Sequence, residues 1–282
     1  MIVWMNTRAE FVATTELLLQ YSEGIESVVA KATKLAGYCR ACEGIRQMQV
    51  TLEAPNGTWR NLLEGMVCEC GLNGRCRSAL AVLDEILIGR QFASALVLER
   101  LTPFYGQLAM RLPGLIGCEY LGDTVPAGAL VEKAGIAVRS ENMMAFALES
   151  DALDIVMHFD VLEHVPDWRL GLRECWRVLR PGGIMLFTTP FYDGLERNIV
   201  RADWQEGKIR YLLPAAYHGN PLSSEGSLVY IHPSWEVFEC LTSIGFGSVR
   251  MAVCYDPIQG IFSNGCPFPD GHTWPLVFVV TK

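Results

Sequence analysis

The sequence is short of several features that would assign it to a broad class. No apolar run approaches the roughly 20 residues needed to cross a bilayer. The opening residues carry no basic stretch followed by an apolar core and a small-residue cleavage site, so we expect no signal peptide. Lys and Arg number 23 against 31 Asp and Glu, for a net charge of −8. We therefore expect a soluble, cytoplasmic protein without a membrane partner, and the acidic balance argues against a nucleic-acid partner.

A glycine-rich Gly-x-Gly-x-x-Gly turn is absent as well. This absence argues against a nicotinamide-dependent oxidoreductase, whose pyrophosphate-binding turn needs those glycines. No internal repeat or low-complexity segment is visible. With 282 residues, half of them hydrophobic, the chain is long enough for one α/β domain and a smaller module.

Short apolar runs alternate with helical patterns from residue 93 onward. The alternation predicts parallel strands joined by right-handed crossovers, in a sheet whose ligands bind beyond the carboxyl ends of the strands. The predicted strands are 93–98, 115–117, 135–138, 154–159 and 184–187, and the helices between them include 102–112 and 168–179. A helix at 234–244 and strands at 247–255 and 276–281 fit an antiparallel pair that closes the sheet.

The first 37 residues are predicted to be helical. Thr7 and Glu10 fit a capping box at the start of this segment. The stretch from Tyr21 to Gly24 is expected to divide it into two helices, and Gly37 to end the second. We expect these helices to pack on the main domain or to form the contact of a homodimer.

Ten cysteines are present, and five of them cluster in the first third of the chain. In a cytosolic protein such a cluster favours a metal site over disulfides. Cys39 and Cys42 form one knuckle with the usual spacing, and Cys68 and Cys70 form a second with one residue between them. Four thiolates from two such turns predict a zinc site. A site of this kind is closed, so it would stabilise the fold and do no chemistry.

Alternatives stay open for this cysteine module. Cys76 is a substitute ligand for Cys68 or Cys70, because the second spacing is unusual, and a module without metal is the other alternative. RNA binding by the module is a further alternative, and the acidic net charge of the chain argues against it. Four further cysteines are predicted to be buried as small hydrophobic residues: Cys118, Cys175, Cys240 and Cys254. Cys266 is assigned no role.

The most specific pattern lies between Asp154 and Pro190. It begins with Asp-Ile-Val-Met-His-Phe-Asp-Val-Leu-Glu-His-Val-Pro-Asp-Trp and ends with Arg-Val-Leu-Arg-Pro-Gly-Gly-Ile-Met-Leu-Phe-Thr-Thr-Pro. A buried strand, a polar loop, a helix, a tight turn and a second buried strand follow one another. The segment resembles the second half of a class I S-adenosylmethionine-dependent methyltransferase domain. The resemblance implies a Rossmann-like, mostly parallel sheet with an antiparallel terminal strand, and S-adenosylmethionine as cofactor.

Acidic residues follow the first three predicted strands, as they do in this family. They are Glu99, Glu119 and Glu141, the last followed by Asn142. In the family the second acid binds the ribose hydroxyls, and a carboxylate can accept two hydrogen bonds from a vicinal diol. The family's glycine-rich turn is replaced here by Leu-Glu-Arg-Leu-Thr-Pro-Phe-Tyr-Gly. Either Thr102 and the backbone beside it hold the cofactor differently, or the site has lost it.

The chain also resembles, over nearly its whole length, a less common branch of these methyltransferases. That branch has an acid-x-x-Thr-Pro turn after the first strand, Glu-Tyr-Leu-Gly after the second, and a cysteine module in front, as this sequence has. The predicted cofactor-binding residues are Glu99, Thr102, Glu119, Tyr120, Glu141, Asn142, Phe159, Asp160, Val161 and His164.

An insertion at 191–233 is predicted to cap the substrate, because polar and aromatic residues concentrate there beside the crevice. The predicted substrate residues are Phe191, Tyr217, His218 and Tyr230. His218 and His164 are the candidate bases, since an imidazole can take a proton from an attacking oxygen or nitrogen. The alternatives are that His218 hydrogen-bonds the loop backbone and that His164 fixes a local turn.

These features divide the chain into a helical segment (1–37), a cysteine-rich zinc-binding module (38–77) and a methyltransferase domain (78–282). The resemblance implies methyl transfer in biosynthesis to an oxygen or nitrogen of a small molecule, such as a sugar or secondary metabolite, and a lid as an alternative role for the first helices. The transfer needs no metal, and no further acid cluster fits magnesium. The competing hypothesis is a non-catalytic binding protein or partner subunit that keeps the fold but has lost the donor site.

Overall fold

The computed structural model describes residues 1–51, 61–220, 223–265, 267–268, 271–272 and 274–282. The predicted turn at residues 55–57 and Cys266 lie outside them. The chain divides into two compact units, Met1–Gln91 with Arg250–Val279, and Phe92–Val249 with Val280–Lys282.

The helices of the described residues are α1 (Arg8–Val29), α2 (Leu62–Gly65), α3 (Gly74–Leu87), α4 (Pro103–Arg111), α5 (Trp168–Val178) and α6 (Glu236–Ile244), with 3-10 turns at Leu162–His164 and Pro257–Gln259. The strands are β1 (Ile2–Met5), β2 (Lys34–Cys39), β3 (Gly44–Val50), β4 (Met66–Cys68), β5 (Ala95–Val97), β6 (Leu115–Glu119), β7 (Leu130–Lys133), β8 (Ile136–Ser140), β9 (Leu153–Phe159), β10 (Leu179–Thr188), β11 (Ile199–Val200), β12 (Ala202–Gln205), β13 (Lys208–Tyr211), β14 (Tyr217–Asn220), β15 (Ser223–Leu228), β16 (Ile231–His232), β17 (Ser248–Cys254), β18 (Pro267–Phe268), β19 (Gly271–His272) and β20 (Leu276–Thr281).

The second unit is built on a sheet whose strands lie in the order β10-β9-β5-β6-β8-β7. The first five of these strands run parallel to their neighbours. Their order along the sheet corresponds to the fifth, fourth, first, second and third predicted strands, so the order reverses between β5 and β9. Ligands of such sheets bind at this switch point, beyond the carboxyl ends of the strands. The predicted α/β Rossmann-like class is confirmed.

The central strand β9 shows why this sequence forms the middle of a parallel sheet. All seven of its residues are buried, which matches the continuous apolar run that a strand covered on both faces requires. Helix α5 follows it and begins at Asp167, whose carboxylate accepts a 2.9 Å hydrogen bond from the Leu170 amide. Its apolar stripe buries Trp168, Leu172 and Cys175. The sequence therefore fixes the two elements that frame the polar loop at residues 160–164.

The first unit holds the cysteine module. Strands β2, β3 and β4 form an antiparallel sheet; the Cys39 and Cys42 turn lies at the β2–β3 hairpin, and the Cys68 and Cys70 turn follows β4. Strands β1, β17 and β20 lie side by side, with β1 antiparallel to β17. Hydrogen bonds from the Gly247 amide to the Thr281 carbonyl and from the Cys254 amide to the Pro275 carbonyl join β17 and β20 in antiparallel register. This is the predicted terminal antiparallel pair, but the pairing of β1 with it was not predicted.

Two local expectations are wrong. The N-terminal segment holds a single helix, α1, which runs through Tyr21–Gly24 without a break and ends at Val29, so that Gly37 lies in β2 and ends no helix. The predicted capping box of Thr7 and Glu10 is present. The predicted division rested on the apolar pattern alone, and the helix continues through it. The insertion at 191–233 is not an irregular loop. Within it β11 pairs with β16, β12 with β13 and β14 with β15, and each pair is antiparallel. In the described part of the chain, no helix is both long and apolar enough to cross a membrane.

Candidate functional site

The loop after β5 is ordered by side-chain contacts in place of glycines. The Thr102 hydroxyl donates a short hydrogen bond to the Glu99 carboxylate, so it does not cap α4. The Arg100 guanidinium lies 4.3 Å from the centroid of the Tyr105 ring, a cation–π distance. A side chain at Gly117 would collide with both, since its Cβ would come within 2.4 Å of the Tyr105 ring. The loop is thus held against the end of β6.

Glu119, at the end of β6, connects this loop to the neighbouring strand. Its Oε1 accepts hydrogen bonds from the backbone amides of Arg100, at 2.8 Å, and Leu101, at 3.0 Å. Burial raises the pKa of this carboxyl, and the two amide bonds oppose that shift. The second oxygen, Oε2, accepts no hydrogen bond from the described residues. One half of the carboxylate therefore fixes the loop, and the other half is left for a ligand.

Glu141 and Asn142, after β8, are engaged by their own chain. Glu141 is buried, and its two oxygens accept hydrogen bonds from Arg139 Nε at 2.7 Å and from the Ala147 amide at 2.9 Å. The oxygen of the Asn142 side chain accepts a 2.9 Å bond from the Met144 amide. Glu141 thereby shapes the turn after β8, and only the amide nitrogen of Asn142 is left to face a ligand.

The chain turns sharply after β9. Asp160 has a φ of +50°, a left-handed conformation that Asp adopts more readily than most residues. Its carboxylate accepts a 2.7 Å hydrogen bond from the Thr188 hydroxyl. Phe159 is buried against Phe104, with ring centroids 4.8 Å apart. Val161 accepts the first bond of the 3-10 turn, from the His164 amide at 2.9 Å.

The 3-10 turn at Leu162–His164 carries a cluster of one carboxylate and two imidazoles. Glu163 has no exposed surface, and its Oε2 accepts a 2.9 Å bond from the Thr189 hydroxyl. Its Oε1 lies 3.6 Å from His164 Nε2 and 3.6 Å from His218 Nδ1. The two imidazole rings stand edge to face, with centroids 5.2 Å apart. Burial alone would raise the pKa of Glu163, but the imidazoles outweigh burial and hold it below its usual value.

Two backbone hydrogen bonds join the insertion to this cluster. His164 Nδ1 lies 2.8 Å from the Leu228 carbonyl oxygen. A carbonyl only accepts, so Nδ1 carries the proton and the lone pair of a neutral ring is at Nε2. The Tyr230 amide donates a 2.8 Å bond to the Glu163 carbonyl. Both predicted bases therefore meet at Glu163, and His218 comes from β14 rather than from an irregular loop.

The other predicted substrate residues differ in how far they are exposed to solvent. Phe191 is buried and packs edge to face on Trp235 at 5.1 Å, which makes it part of the core. Tyr230 is buried, whereas Tyr217 and the predicted cofactor residue Tyr120 are more than half exposed. The Tyr120 hydroxyl donates to Asp123 at 2.6 Å. The structure thus brings His218 to His164 and leaves Phe191 in the interior.

His158 is the buried histidine of β9. It has no exposed surface, it stacks on Phe187 with ring centroids 4.7 Å apart, and neither ring nitrogen has a hydrogen-bond partner in the described part of the chain. Burial lowers its pKa to about 3. His158 is therefore neutral and packs as an aromatic residue, as its position within an apolar run suggests.

Four thiol groups of the cysteine module face one another in the first unit. They belong to Cys39, Cys42, Cys68 and Cys70, whose sulfurs all lie within 4.8 Å of one another. The Cys39 and Cys70 sulfurs are 3.8 Å apart and those of Cys42 and Cys68 are 4.0 Å apart. Four Zn–S bonds of about 2.3 Å in a tetrahedron place the sulfurs about 3.8 Å apart. Cys76 is not in the group of four.

The buried Arg77 supports this module. Its guanidinium has no exposed surface and donates to the carbonyls of Leu72, Met66, Gly260 and Gln259 at 2.5 to 2.9 Å. Burial lowers its pKa, and the cysteine thiols nearby oppose that shift. A buried cation bound only to neutral carbonyls needs negative charge close by.

Comparison with known proteins identifies the central part of the second unit. Residues 115–187 match the family model described as a methyltransferase domain. A probable S-adenosylmethionine-dependent methyltransferase from Mycolicibacterium smegmatis is 37% identical over 76 residues, which cover 27% of this chain and 29% of that protein. This segment is similar to a methyltransferase domain. It contains Glu119, Asp160 and the pair Glu163–His164, whereas the loop at Glu99–Thr102 and His218 lie outside it.

Longer similarities extend beyond this methyltransferase domain. A ubiquinone biosynthesis O-methyltransferase from Cereibacter sphaeroides is 33% identical over 160 residues, which cover 53% of this chain and 58% of that protein. The chain therefore spans less than two thirds of the length of both relatives. The crystal structure of an S-adenosylmethionine-dependent methyltransferase from Mesorhizobium loti is 15% identical with a TM-score of 0.42, over 73% of this chain and 98% of that one.

Sequence reasoning missed the central member of the polar cluster. Glu163 is not among the site residues predicted from the sequence, although it directly precedes the candidate base His164. Its signal was an acidic residue directly before a histidine, in an otherwise apolar stretch just after a buried strand. The partners Thr189 and the Leu228 carbonyl could not be predicted, because strand register and insertion geometry bring them there.

Proposed function

We propose that this protein transfers a methyl group from S-adenosylmethionine to an oxygen or nitrogen of a small molecule, such as a sugar or secondary metabolite. The observation that carries the proposal is the divided carboxylate of Glu119 at the end of β6. It lies beyond the carboxyl end of a parallel strand, where ligands of such sheets bind. The similarity of residues 115–187 to a methyltransferase domain supports the same function.

The residues present fit the cofactor at its ribose. Glu119 Oε2 offers an acceptor for the two hydroxyls of a vicinal diol. The Thr102 hydroxyl and the backbone around Pro103 lie in the loop after β5, where the resemblance to the methyltransferase family implies a glycine-rich turn. When bound, S-adenosylmethionine supplies an electrophilic methyl group on a sulfonium. This chain has then to align the acceptor and to help it lose a proton.

The acceptor side of the site is proposed to lie at Glu163, His164 and His218. His164 and His218 are the candidate bases of the sequence, and the buried carboxylate between them supports a role in releasing the acceptor's proton. The insertion at 191–233 supplies His218 and stays the proposed substrate cap. A cytoplasmic location and a homodimer through the N-terminal segment stay predictions.

We also propose that Cys39, Cys42, Cys68 and Cys70 hold a structural zinc ion. The sulfur separations of 3.8 and 4.0 Å support tetrahedral coordination, and four thiolates leave no position for a substrate. The charge of such a centre, −2, is the negative charge that the buried Arg77 needs.

Calorimetric titration with S-adenosylhomocysteine tests the transferase proposal. The wild type should bind, and Glu119→Gln should weaken binding by about 10- to 150-fold, because a hydrogen bond to a charged group contributes about 1.5 to 3 kcal/mol. Glu119→Gln keeps an acceptor for the loop amides, which Glu119→Ala would remove. Asp151→Asn is the matched control. This exposed carboxylate lies just before the first residue of β9, whereas the proposed cofactor site lies beyond the carboxyl ends of the strands. A folded wild-type protein that binds no S-adenosylhomocysteine would refute the proposal and favour the partner-subunit hypothesis.

A further inference from the structure

Three potential ligand atoms converge at the 3-10 turn of the second unit. They are Glu163 Oε1, His164 Nε2 and His218 Nδ1, which all lie within 4.8 Å of one another. Oε1 is fully buried and has no hydrogen-bond partner among the residues that the structure describes. A buried carboxylate oxygen without a partner is costly, so its surroundings require an explanation.

The separations are those of atoms that share a cation rather than a proton. Both nitrogens lie 3.6 Å from Oε1, beyond the 2.7 to 3.2 Å of an N–H···O hydrogen bond. Two metal–ligand bonds of about 2.1 Å at the tetrahedral angle separate their donor atoms by about 3.4 Å. The cluster therefore has nearly the spacing of a coordination sphere.

The hydrogen bonds behind the three atoms point the same way. Because His164 Nδ1 donates to the Leu228 carbonyl, a neutral ring has its lone pair on Nε2, 3.6 Å from Oε1 and its lone pairs. Two facing lone pairs repel each other unless a positive charge lies between them. The Thr189 hydroxyl fixes the other carboxylate oxygen of Glu163 at 2.9 Å. Metal-binding histidines and carboxylates are held by outer hydrogen bonds of these two kinds.

We propose that Glu163, His164 and His218 form a binding site for a divalent transition-metal ion, separate from the cysteine module. Two imidazole nitrogens and one carboxylate oxygen suit zinc, iron, cobalt or manganese, whereas magnesium and calcium take oxygen ligands. Three protein ligands leave at least one coordination position open, as in catalytic rather than structural sites. His218 is 39% exposed, so the site is open toward solvent on the side of the insertion.

The site changes the role of the two histidines in the proposed transfer, and this consequence rests on the proposed function, whereas cation binding does not. With a cation bound, the imidazole lone pairs are ligands and take no proton. An acceptor hydroxyl bound at the open position would have a lowered pKa and would lose its proton to solvent. Its oxygen would then form the C–O bond as the C–S bond breaks and the electron pair returns to sulfur. The expectation that no metal takes part would be replaced.

Cobalt(II) titration of the full-length, metal-stripped protein tests the site without any methyl donor. Bound metal is counted by mass spectrometry after gel filtration, and absorption distinguishes the two sites, because only the cysteine module gives thiolate-to-cobalt charge transfer. We expect one equivalent without charge transfer in the wild type. Glu163→Gln and His218→Ala should weaken it by at least about 100-fold, since outer partners alone contribute 10- to 100-fold. Thr189→Val should weaken it by about 10- to 100-fold.

His232→Ala is the matched control, because it removes a histidine of the same insertion that stacks on Tyr192, outside the cluster. It should keep the equivalent. Each variant is first titrated with S-adenosylhomocysteine and examined by near-ultraviolet circular dichroism, which separates loss of fold from loss of cation. A wild type whose bound cobalt all shows charge transfer, or a folded Glu163→Gln and His218→Ala pair that keeps the second equivalent, would overturn the proposal. Cation binding without S-adenosylhomocysteine binding would support the site and refute the transferase.

Discussion

Arg77→Lys is the substitution for which the structure gives the most definite energetic expectation. The guanidinium of Arg77 donates four hydrogen bonds to buried carbonyls from three different nitrogens. A lysine ammonium keeps the charge but is a single point, so it can reach only one or two of these carbonyls. Two or three buried acceptors would then have no donor.

The magnitude follows from the unsatisfied acceptors. Each one costs about 1 to 3 kcal/mol, so we expect the free energy of unfolding to fall by about 2 to 9 kcal/mol. A domain has only about 5 to 15 kcal/mol in total, so the first unit would lose much of its stability. Arg75→Lys is the control on the same helix. Arg75 is partly exposed and pairs with Glu64 at 2.9 Å, and such pairs contribute about 1 kcal/mol or less.

Urea unfolding of zinc-loaded protein, followed by circular dichroism, measures both variants. Arg77→Met should have a lower free energy of unfolding than Arg77→Lys. The difference between the two variants should become smaller when zinc is removed, because a positive charge at position 77 then has no negatively charged thiolate centre beside it. The reasoning would be refuted if Arg77→Lys shifted the free energy of unfolding no more than Arg75→Lys does. It would also fail if the gap stayed the same without zinc.

Two further predictions concern the other buried polar groups. Cys70→Ser should abolish stoichiometric zinc binding, measured by mass spectrometry of the purified protein, whereas Cys76→Ser should keep it, because Cys76 is outside the group of four; equal zinc content in both variants would contradict the assignment. The Asp154 carboxylate is buried, but amide bonds from Ser94 and Ala93 and the Arg180 charge outweigh burial and lower its pKa. Because the pKa of Asp154 in the folded state lies below the unfolded value of about 3.9, its ionised carboxylate stabilises the folded state above about pH 3.9. This stabilisation is lost as the pH falls through the folded-state pKa. Asp154→Asn should therefore reduce the free energy of unfolding by about 2 kcal/mol at pH 7 and flatten its decline between pH 5 and 3, and an unchanged slope in urea melts would count against this account.

The sequence predicted the α/β class because β9, α5 and β10 carry unambiguous periodicity. The strand order could be expected from the resemblance, and the crossover rule supports it. The capping box at Thr7 was also readable, since its two residues are three apart and bond locally. Local signals of this kind depend on neighbours in the chain, which is why they were predicted correctly.

The sequence did not predict features that depend on distant partners. The hairpins of the insertion carry weak alternation, so His218 was taken for a loop residue although it lies in β14. Glu163 became central only through Thr189 on one side and the two histidines on the other. The engagement of Glu119 with the loop at Arg100 could not be foreseen, because it replaces the usual glycines by a contact between two strands' ends.

The insertion is attached to the cluster by main-chain atoms. The carbonyl of Leu228 and the amide of Tyr230 make the two bonds, and both groups exist whatever side chains stand at those positions. The exposed surface of the insertion, including Tyr211 and Tyr217, is thus free to diverge during evolution while the anchoring persists. Homologues of this chain could acquire new acceptors by exchanging the other residues of these hairpins, and a designer could graft a different hairpin at 217–228 that keeps His218 and the same two backbone contacts.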